Sequence, residues 1–269
     1  MKRKLLKIVS AAAIGAVMSG AYAQTDGSPI PNVSDQWRFE VTPYLWSPGI
    51  NSTLFFNDRY LSTAVLSSSN VLGDLKSGGM ISAEAHYGNW GIMGDLVSAT
   101  LQSTQTIGTT LPTAQGAVPA RFATTATLQQ TILTGAATYT VINNKDAYFD
   151  GLVGVRSIAI TATLGLVLDG TSLNASDSKS TSTVDPIVGF KGRYRIADSG
   201  WYIPLYADIG GGGGTTNMTW QGMIGVGKTF DKWIDISLAY RALYYDMSSN
   251  GLLQKTTMKG PQLAATFNF

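Results

Sequence analysis

Apolar residues in this chain recur at every second position, a period that commits a segment to an extended strand with two unlike faces. In residues 233–245, Ile234, Ile236, Leu238, Tyr240, Ala242 and Tyr244 share one face, while Asp235, Ser237, Ala239, Arg241, Leu243 and Tyr245 share the other. Phe39, Val41, Pro43 and Leu45 likewise oppose Arg38, Glu40, Thr42 and Tyr44. Ile81, Ala83 and Ala85 oppose Ser82, Glu84 and His86, and Ile92 and Leu96 oppose Asp95. Val184, Val188, Phe190 and Tyr194 oppose Asp185, Lys191 and Arg193, and Ile203, Leu205 and Ile209 oppose Tyr202, Tyr206 and Asp208. Residues 124–141 and 147–166 are strand-like through their Thr, Ile, Val and Tyr content. Residues 216–230 and 257–269 complete a set of about ten strands.

The connections fall into two classes. Short turns at Gly88-Asn89 and at residues 143–146, 197–200 and 231–232 alternate with mostly longer connections over residues 47–79, 105–123, 169–183 and 248–255. Membrane barrels have this asymmetry, with short turns at one end, longer loops at the other and an even strand count. Within the first long connection, residues 52–56 and 60–66 flank Asn57-Asp58 as a hairpin, and residues 71–76 suit a short helical turn. Either element is placed to fold over the barrel mouth as a lid. The expectation is an all-β fold: a transmembrane up-and-down antiparallel β-barrel of about ten strands, with eight or twelve as the alternatives.

Composition narrows the function. Charged residues make up 13% of the 269, against about a quarter in an average domain, and disordered chains are charged and poor in aromatics. Without cysteine there is no disulfide, thiolate metal site or thiol nucleophile. A lone His86 cannot build a multi-histidine zinc centre. No metal or other cofactor is expected. Lys2, Arg3, Lys4 and Lys7, an apolar run over residues 8–18, and Ala21-Tyr22-Ala23 before Gln24 read as a secretory signal peptide over residues 1–23. Removing it leaves 15 basic residues against 17 acidic ones, so the net charge of +2 belongs to the leader and nucleic acid is not an expected partner. Residues 24–36 read as a flexible polar tail and residues 37–269 as the barrel domain.

The aromatics and charges sort with the strands. Trp37, Trp90, Trp201 and Trp233 begin strands at the short-turn end, where Tyr87, Tyr139, Tyr194, Phe230, Phe267 and Phe269 also gather, while Trp46 and Trp220 lie toward the long-loop end. Such rings favour the two membrane interfaces. Arg38, Glu40, Glu84, Asp95, Asp185, Lys191, Arg193, Asp208 and Arg241 lie opposite the apolar faces, with Asp150 and Arg156 expected to join them. An Arg or Lys facing lipid at midplane costs about 2–4 kcal/mol, which directs these side chains to the lumen. At about ten strands, between a filled eight-stranded barrel and an open sixteen-stranded one, that lumen is expected to be polar, crowded and at most narrowly open.

With these features the chain resembles the bacterial outer-membrane β-barrels, in particular a proteobacterial, porin-like group that opens with Pro43-Tyr44-Leu45-Trp46. It is similar to that group also at residues 185–189, Tyr240-Arg241-Ala242-Leu243, Gly260-Pro261 and the final strand. The resemblance implies an outer-membrane location in a Gram-negative bacterium, contact with membrane lipid and lipopolysaccharide, and recognition of terminal Phe269 by the outer-membrane assembly machinery. The functional expectation is a narrow porin-like channel for small solutes, its constriction lined by the charges named above, or a structural barrel with a charge-paired lumen. Surface interaction or adhesion through the long loops is the alternative. Residues 222–229 match the phosphate-loop pattern, but a nucleotide site needs a strand before it and a helix after it. Here Trp220, Gly222, Ile224 and Val226 form one apolar row, and a turn into another strand follows. No enzymatic activity is expected, because His86 falls at the short-turn end, away from the outer rim where similar barrel hydrolases carry their histidine.

Overall fold

A computed structural model describes residues 27–113, 116–168, 174–212, 214–249 and 252–269. The leader expected over residues 1–23 lies outside the described residues. The elements are β1 (Trp37–Trp46), β2 (Gly49–Phe56), β3 (Arg59–Leu66), α1 (Ser68–Gly73), β4 (Leu75–Tyr87), β5 (Trp90–Thr113) and β6 (Gly116–Asn143). They continue with β7 (Ala147–Leu168), β8 (Asn174–Arg195), β9 (Trp201–Gly210), β10 (Thr216–Asp231), β11 (Ile234–Ser249) and β12 (Leu252–Asn268). Around the ring the order is β1, β4 and then β5 to β12 in sequence, and β12 pairs back on β1. Ten antiparallel strands therefore close a barrel without an open edge, and β2 and β3 are two further strands at the long-hairpin end.

The first long connection is built into the wall. β1 and β2 run along β12 in one register, Trp46 opposite Gln262 and then Gly49 opposite Lys259. β3 folds back on β2 through Asn57 and Asp58, at φ 46° and 61°, the left-handed pair that a tight two-residue hairpin needs. The descending side is longer than its partner. From Pro43 to Ile50 the ascending edge advances seven residues, while the facing edge passes fifteen, from Ile81 back to Leu66. The eight surplus residues leave the wall as α1, capped by the Ser67 hydroxyl, which accepts the Asn70 N–H at 3.2 Å.

The outer wall is apolar. Leu45, Ile92, Val153, Val188, Ile224 and Leu263 are each more than half exposed, a surface too apolar to face water as a monomer. The inner wall is tightly curved. A Cβ on Gly189 would stand 2.1 Å from Ala207 O, and one on Gly154 2.1 Å from Gly135 O, so these inward positions have no room for a side chain.

Two expectations are corrected. The long connections are mostly continued ladder: β5 and β6 pair out to Thr113 and Gly116, and β7 and β8 to Val167 and Asn174. Thr104, Gln105, Thr106 and residues 174–180 are exposed on both faces and suit a ladder that water surrounds. Residues 27–36 are not a flexible tail. Pro29, Ile30 and Pro31 are buried in the short-turn mouth of the barrel. Arg193 Nη1 donates to Pro29 O at 3.4 Å, Asn143 Nδ2 to Pro31 O at 2.9 Å and Arg38 Nη1 to Asn32 O at 3.2 Å. Two prolines contribute no N–H to satisfy, the Ile30 N–H donates to Ser28 Oγ at 3.3 Å, and the inner wall supplies donors for the Pro29 and Pro31 carbonyls.

Gly189→Ala should lower the stability of the detergent-refolded barrel by about 1–3 kcal/mol, read as a lower urea midpoint at unchanged slope.

Candidate functional site

Strand parity sets the site. Inward positions stack in layers along the barrel axis, and the charged residues occupy the two layers nearest the short turns. In the lower layer, Glu84 of β4 pairs with Lys191 of β8, four places away around the ring. Asp150 lies 3.7 Å from the same ammonium. Arg193 reaches Glu40 of β1 at 3.2 Å, five places around the ring, and Asp235 at 2.8 Å. On a ring of ten, five places is the full diameter, so this pair crosses the lumen. The Tyr148 hydroxyl ties the layer together, donating to Asp150 at 2.9 Å and accepting from Arg38 at 3.1 Å. His86 lies inside at this end, its Nε2 3.1 Å from Glu84.

The upper charged layer is held by two arginines. Arg156, fully buried, makes a two-pronged pair with Asp208, one arm at 2.9 Å, and also donates to Thr219 at 3.2 Å. Arg241 of β11 donates to Asp95 of β5 at 2.8 Å, to the Tyr44 hydroxyl at 2.8 Å and to Gln221 at 2.9 Å. Tyr44 in turn donates to Asp95 at 2.7 Å. Forked guanidinium–carboxylate geometry gives these braces direction as well as strength. Asp185 is buried in this layer beside Arg156 in the β7–β8 register and accepts from the Thr183 hydroxyl at 3.4 Å. Between the layers lies a cavity of about 140 Å³ as swept by the centre of a water-sized sphere, lined by Glu40, Glu84, Asp95, Lys191, Arg193 and Arg241 among others. One water needs roughly 10–15 Å³ on that measure, so the space is polar and has room for several waters but little more.

Above the arginines the lumen changes character. Trp46, Val97, Ile132, Ile158, Leu243 and Met258, contributed by β1, β5, β6, β7, β11 and β12, pack into one buried cluster. Gln130 of β6 donates to the Tyr245 hydroxyl of β11 at 3.0 Å, again across the full diameter. The expectation of a polar lumen is thus corrected in part: its lower half is charged, while its upper half holds this apolar cluster beside buried Gln130, Thr183 and Thr219. The cause is parity, since the strands that carry Asp95 and Arg241 inward also carry Val97 and Leu243 inward, two residues further up.

The structure places Arg38, Glu40, Glu84, Asp95, Asp150, Arg156, Asp185, Lys191, Arg193, Asp208 and Arg241 on the inner wall. Trp37, Tyr87, Trp90, Tyr194, Trp201, Trp233, Phe267 and Phe269 ring the outer wall at the short-turn end. Several pack together there, Trp37 tilted against Tyr87 at 5.5 Å and Trp233 stacked on Phe267 at 6.1 Å. Trp220 faces outward higher up, stacked on Tyr244 at 6.1 Å. Trp46 is a correction. It points into the lumen with Arg241 lying 4.9 Å over its ring. Even positions of β1 face inward, so the parity that sends Arg38 and Glu40 inside sends Trp46 there too. Asp235, Tyr44 and Tyr148 were missed as site residues, although parity already put Tyr44 and Asp235 on the charged faces. For Tyr148 the signal was its spacing of two from Asp150. Among the described residues, no group of three His, Asp or Glu side chains suits a metal ion.

Comparison with known proteins bears on the fold. The chain matches no described protein family and no curated protein sequence. It is similar to the outer membrane protease OmpT of Escherichia coli at 9% identity and TM-score 0.53, over 89% of this chain and 99% of that one. It is also matched to the translocator domain of the autotransporter NalP of Neisseria meningitidis, at 12% identity and TM-score 0.36, over 87% of this chain and 88% of that one. The attachment invasion locus protein Ail of Yersinia pestis matches at 10% identity and TM-score 0.35, over 87% and 98%. At such identities the likeness concerns architecture alone, and the architecture is that of the outer-membrane β-barrels.

Proposed function

We propose that this chain is an integral outer-membrane protein of a Gram-negative bacterium whose barrel is a braced structural shell, closed to solutes at rest. The observation that carries the reading is the pairing of charges across the lumen beneath a buried apolar cluster drawn from six strands. Buried charges that each find a partner rigidify a wall, and an apolar constriction blocks ions by shedding water. The aromatic girdle at the short-turn end supports a membrane interface there, with the short turns on the periplasmic side. Lipid and lipopolysaccharide would contact the apolar outer wall. β12 supports its role as an assembly signal, because Phe269 exchanges backbone hydrogen bonds with Phe39 of β1 at 2.9 and 3.1 Å and so completes the ring. In this reading a narrow passage for small solutes exists only when the apolar layer parts, and no enzymatic role is assigned.

One observation favours a second reading, attachment to a surface. β5 and β6 span 24 and 28 residues, against 10 for β9, while a membrane crossing takes about 9–11. The tall hairpins β5–β6 and β7–β8 would thus stand well above the bilayer. Loss of adherence on trimming residues 104–125, with the barrel still folded, would favour this role over the shell.

Two measurements test the shell. In planar bilayers the wild-type protein should be silent, and Ile132→Ala with Leu243→Ala should produce ion-sized conductance steps. Steady wild-type conductance would sink the reading. Arg241→Met should cost about 3–5 kcal/mol in urea unfolding, because it strands the Asp95 carboxylate among buried partners, whereas Arg241→Met with Asp95→Leu should recover most of that loss. Equal losses in the single and double variants would mean that the pair is not a brace.

A further inference from the structure

Beneath α1, in the upper lumen, lies a second cavity of different chemistry. Val71, Leu72 and Leu75 roof it, and Pro48, Ala99 and Met258 are among its walls. It measures about 40 Å³ as swept by the centre of a water-sized sphere, where one water takes roughly 10–15 Å³. That is room for several heavy atoms and poor housing for water, which needs two to four polar partners.

Only two lining side chains carry polar atoms, Gln130 and Trp46. The Gln130 amide already donates to Tyr245. The indole N–H of Trp46 is buried and has no hydrogen-bond partner among the described residues. The ring is pinned from the other side by Arg241, so the donor is held in place. An unmet buried donor of this kind costs stability until an acceptor reaches it.

The wall beside the cavity is split. The β1–β4 ladder ends at Pro43 and Ile81, and the β2–β3 ladder begins at Ile50 and Leu66. Between them the Trp46 backbone N–H meets no carbonyl and donates instead to Met80 Sδ at 3.2 Å, a weak acceptor. Gly78 and Gly79 put no side chain on the β4 edge at this level. The seam therefore joins an apolar cavity to an apolar outer surface.

We infer that this cavity binds a small, uncharged, largely apolar molecule with one hydrogen-bond acceptor, which the Trp46 indole N–H engages and which comes and goes through the β1–β4 seam. A free hydrophobic solute has that chemistry, whereas the end of a bilayer acyl chain carries no acceptor for the indole. Binding rests on the fold and not on the outer-membrane reading.

The test is a ¹⁹F NMR titration of 4-fluoroanisole into the refolded chain in detergent micelles. The expected result is a saturable component above micelle partitioning. Ala99→Phe, which fills the cavity, should abolish it, and Trp46→Phe should weaken it about fivefold, the loss of one hydrogen bond. Leu72→Trp, on the exposed side of α1, offers a second way to block the cavity, and heat-modifiable gel migration shows whether each variant is folded. Dimyristoyl phosphatidylcholine, whose chain ends carry no acceptor, should not displace the probe; displacement would overturn the acceptor requirement. Partitioning without saturation, identical in wild type and a folded Ala99→Phe, overturns the proposal.

Discussion

Backbone hydrogen bonding between β1 and β12 closes the sheet, and most of the molecule follows from that seam. A closed ring has no free edge strand, so apart from the split beside Trp46 its ladder N–H and C=O groups can be met within the protein even where the surrounding medium offers no partner. Closure also creates an inside. It brings β8 opposite β1 and β6 opposite β11, which is why Arg193 meets Glu40 and Gln130 meets Tyr245 across the lumen. An open sheet of the same strands would leave these side chains on one solvated face, too far apart to pair.

The charges and the apolar layer divide the lumen between them. The lower half gathers carboxylates and cations at one level, where each offsets the cost of burying the other. The Pro29–Ile30–Pro31 plug caps that half from below, with arginines serving both carboxylates and plug carbonyls. Among the described residues no ion pair holds the upper half, where Ile132, Ile158 and Leu243 are fully buried. Where the two halves meet, Arg241 bonds Asp95 on one side and lies over Trp46 on the other, joining the electrostatic layer to the apolar one.

The departures from a regular barrel concentrate in the first descending strand. Eight surplus residues cannot be absorbed by a ladder that advances one for one, so they leave it as α1 and split the wall. The same surplus roofs the apolar cavity, beside which the Trp46 indole N–H has no hydrogen-bond partner among the described residues. A defect in pairing, a cavity and an unmet donor thus share one local cause.

Alternation by itself determined the barrel class, the side on which the charges of β1, β4, β5, β8, β9 and β11 lie, and the girdle of Trp37, Trp90, Trp201 and Trp233, because a strand's side-chain period is fixed at two by its backbone. The Asn57-Asp58 hairpin was legible for a similar reason, since the residues at its turn tolerate left-handed φ. What parity cannot say is which inward residues meet, or at what height the lumen turns from polar to apolar. Those depend on ring order and stagger, which set Arg193 against Glu40 and gathered Trp46 with Ile132 and Leu243. The buried path of residues 29–31 was equally hidden, because its partners Arg193 and Asn143 are brought to it only when the ring closes. Local sequence decides which way a side chain points, and closure decides what it finds there.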